Sequence, residues 1–167
     1  MSASIESALI WYRNDLRIED HEGLKNATEK FDRVIAYYSF NPNHYKENKW
    51  GFKKTEKYRA NFLIESVKNL QESLERLNVT LVVDLKPPHQ SIPEIIQKHK
   101  VKSIYLQKEW TEEEVKEEKE VSAVLDDGID WIYHYEQMLF HPDDLAFNIA
   151  QIPEVFGAFR KSCLLYT

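Results

Sequence analysis

Within five positions the chain sets Arg13, Asn14, Asp15 and Arg17, two cations, an amide and a carboxylate, on a stretch that contains no glycine. Without glycine the backbone cannot approach a pyrophosphate as it does in G-x-G-x-x-G sites, so neither a dinucleotide fingerprint nor a phosphate loop is read here. Two uses remain for these side chains. They lie beside a ligand, or Asp15 caps the following turn while Arg17 makes a surface ion pair of small energetic consequence. Further on, Phe40-Asn41-Pro42-Asn43-His44 offers a planar ring with polar tips, and Trp50 and Phe52 follow closely. Such aromatics could wall a flat ligand, since small-molecule sites are mostly apolar with a few polar contacts; the plainer use is to pack a core or an interface. The glutamates at 112, 113, 114, 117 and 118 form an acidic run that needs only helix-dipole and solvent explanations. His21, His44, His89, His99, His134 and His141 share no close spacing, and none stands with a serine or cysteine in a nucleophile motif. No catalytic residue and no metal ligand is read from this pattern. Cys163, the single cysteine, excludes an internal disulfide and leaves no Cys/His zinc spacing; it reads as a buried or interface thiol.

The elements that must position these residues alternate. Ala8–Tyr12, Arg33–Phe40, Val79–Asp84, Lys102–Gln107 and Ile129–Tyr135 are short runs rich in β-branched and aromatic residues, the composition of strands. Between them lie helical patterns over Glu22–Lys30, Thr55–Leu77, Ser91–Lys100 and Thr111–Leu125. In the second, Phe62, Leu63, Val67, Leu70, Leu74 and Leu77 recur every three to four residues against a polar opposite face. The fourth opens with Thr111 and has Glu114 three residues on, a capping-box arrangement. Strand and helix in alternation imply right-handed crossovers and a mainly parallel five-stranded sheet with helices on both faces, a Rossmann-like doubly wound α/β domain. With strand order 3-2-1-4-5 the switch point falls between the first and fourth strands. The loops Arg13–Arg17 and Lys108–Thr111 should then face one crevice at the carboxyl ends of the strands. Trp11 and Trp131 fall inside strands, where core packing is their expected role. The α/β domain is expected over residues 1–135. Residues 136–167 read as a linker arm with a short helical piece at Glu154–Lys161, whose Phe140, Leu145, Phe147, Ile149, Ile152, Val155, Phe156 and Phe159 need cover.

Composition narrows the partners. A chain of 167 residues with a net charge of −6 and 43% hydrophobic content can build one core, and it lacks the basic excess of a surface that neutralises many phosphates. No apolar stretch is long enough to span a bilayer, and MSASIES has neither the basic start nor the apolar core of a secretory signal, so a soluble compartment, cytoplasmic or otherwise intracellular, is expected.

Leu9-Ile10-Trp11-Tyr12-Arg13-Asn14-Asp15-Leu16-Arg17 resembles the opening of the photolyase/cryptochrome family, in which the first strand runs into an R-x-D-L-R loop. Trp50-Gly51-Phe52-Lys53-Lys54-Thr55, running into Arg59-Ala60-Asn61-Phe62-Leu63, is similar to a stretch of the cryptochrome-DASH branch. So are His141-Pro142-Asp143-Asp144-Leu145-Ala146-Phe147 and Ile152-Pro153-Glu154-Val155-Phe156. The resemblance spans nearly the whole chain. It implies the α/β domain that holds an antenna chromophore and docks a helical FAD-binding domain not contained in this sequence. It further implies, for an intact protein only, blue-light repair of pyrimidine dimers in single-stranded DNA, a carbon–carbon lyase reaction in which the bound base is extruded from its strand, or photoreception. Glu109 matches the position whose carboxylate meets the pterin of methenyltetrahydrofolate, and Phe40, Trp50 and Phe52 would wall that antenna; the loop of Arg13, Asn14, Asp15 and Arg17 would lie near the site and the domain interface. Two other readings are weighed beside it: a stand-alone adenine-nucleotide-binding domain, disfavoured by the absence of a glycine-rich loop, and an interaction module that dimerises through the apolar arm.

Overall fold

Nothing in the first strand run alternates between polar and apolar, as is usual where both faces of a strand are covered. In the computed structural model, which describes residues 6–47, 49–138, 141–145 and 147–164, every residue of β1 (Ser7–Trp11) is buried. Its neighbours are β2 (Arg33–Ser39) on one side and β4 (Val101–Gln107) on the other, with β3 (Thr80–Asp84) and β5 (Asp130–His134) at the edges. All pairings are parallel, and the order β3-β2-β1-β4-β5 is the one expected.

Because successive side chains point to opposite faces, β1 feeds two cores. Ala8, Ile10 and Tyr12 pack with Leu24 and Ala27 of α1 (Glu22–Lys30) and Val67, Leu70 and Leu74 of α2 (Lys57–Arg76). Leu9 and Trp11 face Ile92 and Ile95 of α3 (Pro88–His99) and Val121 of α4 (Glu112–Ser122). Trp11 and Trp131 meet edge to face at 6.5 Å on that second side, which is the packing role expected of them.

Three local expectations need correction. Phe62 does not join the buried stripe of α2 and is 66% exposed, as Leu77 is also exposed. Phe62 sits five residues before Val67, which carries it about 140° around the helix, whereas Leu63 falls near the buried line. Thr111 is the N-cap residue of α4, yet its side chain makes no capping hydrogen bond, and Glu114 turns instead to line a cleft. Finally α3 begins at Pro88, three residues before the expected start, because a proline in the first turn has no N–H to leave unpaired.

The first compact unit ends at His134 and a second begins at Tyr135. Within the second, 3₁₀ turns at Pro142–Asp144 and Ile149–Gln151 precede α5 (Phe156–Leu164). Phe159 meets Phe147 edge-on at 5.7 Å and stacks on Phe156 at 6.4 Å, while Ile152, Val155 and Phe156 stay largely exposed. Phe140 and residues 165–167 lie outside the described residues, as do the side chains of Ile149 and Cys163. Among the described residues no helix is long and apolar enough to cross a membrane.

Candidate functional site

At the carboxyl ends of β1 and β4 the chain diverges to opposite faces of the sheet, so the loops that follow must leave a crevice between them. The two loops meet there. Asn14 Nδ2 donates to Glu109 Oε1 at 3.2 Å, and Gln107 Nε2 donates to the same oxygen at 3.4 Å. Glu109 is only 4% exposed, a carboxylate pinned by two amides at the switch point. Arg13 runs beneath them: its Nη2 donates to the Gln107 carbonyl, its guanidinium lies 5.1 Å from the Trp11 ring centre, and its Nη1 stands 3.9 Å from Glu118. Glu118 is itself fixed, since Oε1 accepts from the Tyr133 hydroxyl at 2.6 Å and from Lys108 Nζ at 3.2 Å. The acidic helix α4 thus turns one of its glutamates inward as a counter-ion for Arg13. Its charge pattern is not wholly a solvent matter.

Asp15 neither caps α1 nor faces solvent. Its Oδ1 accepts the Arg13 N–H at 3.0 Å, and its Oδ2 lies 3.0 Å from His21 Nε2 and 3.5 Å from His134 Nε2. The cap of α1 is His21, whose Nδ1 accepts the Leu24 N–H at 3.0 Å. That bond fixes the tautomer: with Nδ1 accepting, the proton sits on Nε2 and is donated to Asp15. Burial by itself favours neutral Asp15, but hydrogen bonds from His134, His21 and the Arg13 N–H outweigh it and hold the carboxyl far below the ordinary range. The Tyr12 ring closes over His21 at 5.0 Å. Spacing in the sequence gives no hint of this cluster. Its three donor atoms come close enough to ligate one ion, but a metal on His21 Nε2 would displace the proton that the Leu24 bond places there and leave an imidazolate. The cluster suits protons and not a cation.

Arg17 donates from Nε and Nη2 to the Asp20 carbonyl at 3.2 and 3.1 Å. Beside the crevice, a cleft of about 60 Å³ opens between the β1 loop, the β2 loop and the start of α2, lined among others by Arg13, Asn14, Phe40, His44, Arg59 and Glu117. Glu117 accepts from Asn41 Nδ2 at 2.6 Å, and burial pushes His44 below its usual pKa although Glu117 opposes the shift. Of the aromatics expected at the site, Phe40 lines this cleft and packs its ring edge on Tyr38 at 5.0 Å. Trp50 and Phe52, 72% and 60% exposed, stand on the turn that the Glu47–Lys53 bridge closes and do not line it. The structure therefore joins Arg13, Asn14, Asp15 and Glu109 in one bonded neighbourhood, with Phe40 at its border. Gln107, Glu118, His21 and His134 complete it without having been singled out.

A doubly wound sheet with its polar groups gathered at the switch point is the class of α/β domain in which ligands, where present, sit at the carboxyl ends of the strands. Residues 8–166 match the family model for DNA photolyase. A cryptochrome DASH of Gloeobacter violaceus is 40% identical over 159 residues, covering 95% of this chain and 32% of that protein. The crystal structure of a cryptochrome from Synechocystis sp. PCC6803 superposes with a TM-score of 0.90 at 36% identity, over 99% of this chain and 34% of its own. A photolyase from Sulfolobus tokodaii, solved with two FAD molecules and read as implying a novel light-harvesting cofactor, shares the fold alone, at a TM-score of 0.73 and 21% identity over 93% of this chain and 35% of that one. The chain belongs to the DNA photolyase family and carries its α/β domain, with cryptochrome DASH proteins among its relatives. It spans about a third of the length of those relatives.

Proposed function

We propose that this chain holds the antenna of a cryptochrome-DASH-type protein, with Glu109 as the residue that orients a methenyltetrahydrofolate. The observation that carries the reading is the buried Glu109 carboxylate, held by Asn14 and Gln107 at the switch-point crevice. A carboxylate fixed in this way is aligned in advance for adjacent N–H donors of an aminopterin ring, and fixing it before binding lowers the ordering cost. The folate supplies light absorption when bound; the chain's residues recognise and orient it.

The neighbouring cleft, which Asn14 and Phe40 line and Glu109 does not, is about 60 Å³, several-fold smaller than ordinary small-molecule pockets, which run to about 300 Å³ and more. A complete site therefore calls for a second surface, and a helical FAD-binding domain is the partner that fits the relatives' greater length. In such an intact protein the flavin would split pyrimidine dimers in single-stranded DNA or signal light. Phe40 would contribute from the cleft, and Trp50 and Phe52 would be covered only in the completed site.

Titrating the purified chain with methenyltetrahydrofolate, followed by absorbance and fluorescence, tests this. Saturable binding that Glu109→Ala abolishes is expected. Its absence at about 1 mM folate, where the free energy would be weaker than about −4 kcal/mol, would sink the reading for the chain on its own. A second reading, self-association through the arm, is favoured by the exposed Ile152, Val155 and Phe156. Sedimentation over a hundredfold concentration range decides it: a mass that rises with concentration and falls back in Val155→Lys supports an interaction module, and a constant monomer mass removes it.

A further inference from the structure

We infer that the Asp15–His21–His134 cluster is a positioning device that registers the two loops of the crevice against the point where the chain leaves the α/β unit. One carboxylate makes the attachments. Oδ1 holds the Arg13 N–H of the β1 loop, and Oδ2 bonds His21 at the start of α1 and stands 3.5 Å from Nε2 of His134 at the end of β5. The backbone of His134 makes one more: its carbonyl accepts the Lys108 N–H at 2.8 Å. The two amides fixed in this way, Arg13 and Lys108, each lie one residue from a site residue, Asn14 and Glu109, whose side chains meet at 3.2 Å. The geometry of the crevice is thus set by the cluster beneath it. His134 is also the last residue of the first unit.

The cluster is closed to solvent, with the side chains of Asp15 and His21 wholly inaccessible and that of His134 3% exposed. Hydrogen bonds in such surroundings are stronger and more geometrically demanding than at a surface. Room for the His134 ring comes from Gly23, where a methyl group would lie 2.6 Å from ring carbon Cε1. A purely local scaffold does not need residues from the first loop, the first helix and the last strand to share one carboxylate. A registering device does.

The inference is independent of the folate reading, and its test uses no ligand. Amide hydrogen exchange is compared in the parent chain, His134→Leu and His21→Asn. Asparagine keeps an acceptor for the Leu24 N–H, as a good N-cap residue, while giving up the reach to Asp15. His134→Leu should speed exchange at Arg13 and Lys108 about tenfold or more relative to Ile10 in the centre of the sheet. His21→Asn should speed Arg13 while Leu24 stays protected. An Arg13 amide that exchanges as in the parent in either folded variant overturns the inference, as does an equal acceleration of every amide including Ile10. If His134→Leu does not fold, His21→Asn alone carries the decision.

Discussion

Asp15→Asn is expected to destabilise the chain by about 2–3 kcal/mol at pH 7, the usual worth of a buried hydrogen-bonded charge, although the two side chains have nearly the same shape. An amide keeps one acceptor oxygen and replaces the other with a donor. That donor meets the Nε2–H of His21 or the Arg13 N–H, both of which need an acceptor. The loss should also depend on pH in a predictable direction. Asp15 ionises more readily in the folded chain than an ordinary aspartate does, so its contribution is complete above the unfolded carboxyl's range. Below about pH 4 the unfolded chain gains a proton that the folded chain still refuses, and the contribution declines. Urea unfolding of both chains should therefore show a gap that narrows as the pH falls from about 5 toward 3. A gap of unchanged width at pH 3 would refute the account of Asp15 as a buried anion.

Gly23→Ala should also lower stability, by about 1–3 kcal/mol, against the ordinary preference of a helix for alanine. The added carbon would stand 2.6 Å from Cε1 and 2.7 Å from Nδ1 of His134, and 3.2 Å from Cε1 of His21. Neither ring can retreat without losing Asp15. The clash should vanish when its partner is removed, so a double-mutant cycle with His134→Ala is the sharper measurement. Gly23→Ala is expected to cost much less in the His134→Ala background than in the parent, a coupling of about 1 kcal/mol or more. Additive losses would mean that the glycine matters for some reason other than the imidazole.

The fold was legible because strand runs of β-branched and aromatic residues alternate with helical patterns, and a parallel sheet so built has few ways to be wound. The switch point followed from strand order, and with it the meeting of Asn14 and Glu109. The buried cluster was not legible. His21 and His134 are more than a hundred residues apart, each is a plausible surface histidine by itself, and only closure of the sheet brings them to one oxygen. The α2 stripe failed at Phe62 for a different reason: hydrophobicity marks candidates for burial, but the angular position decides, and Leu63, not Phe62, falls near the buried line. Thr111 shows the converse, a motif whose residue types match while the hydroxyl makes no bond.

Where the first unit ends has a consequence for how the domain can be exchanged between proteins. Because the ring of His134 lies against Asp15 while Tyr135 begins the next unit, the natural seam lies after the histidine. A chimera joined one residue earlier would replace the imidazole and leave a buried carboxylate short of one neighbour. One joined at Tyr135 would carry the crevice intact. The seam is set by side-chain chemistry, and a boundary drawn only from the last hydrogen bond of the sheet would not reveal which side of it is safe to cut.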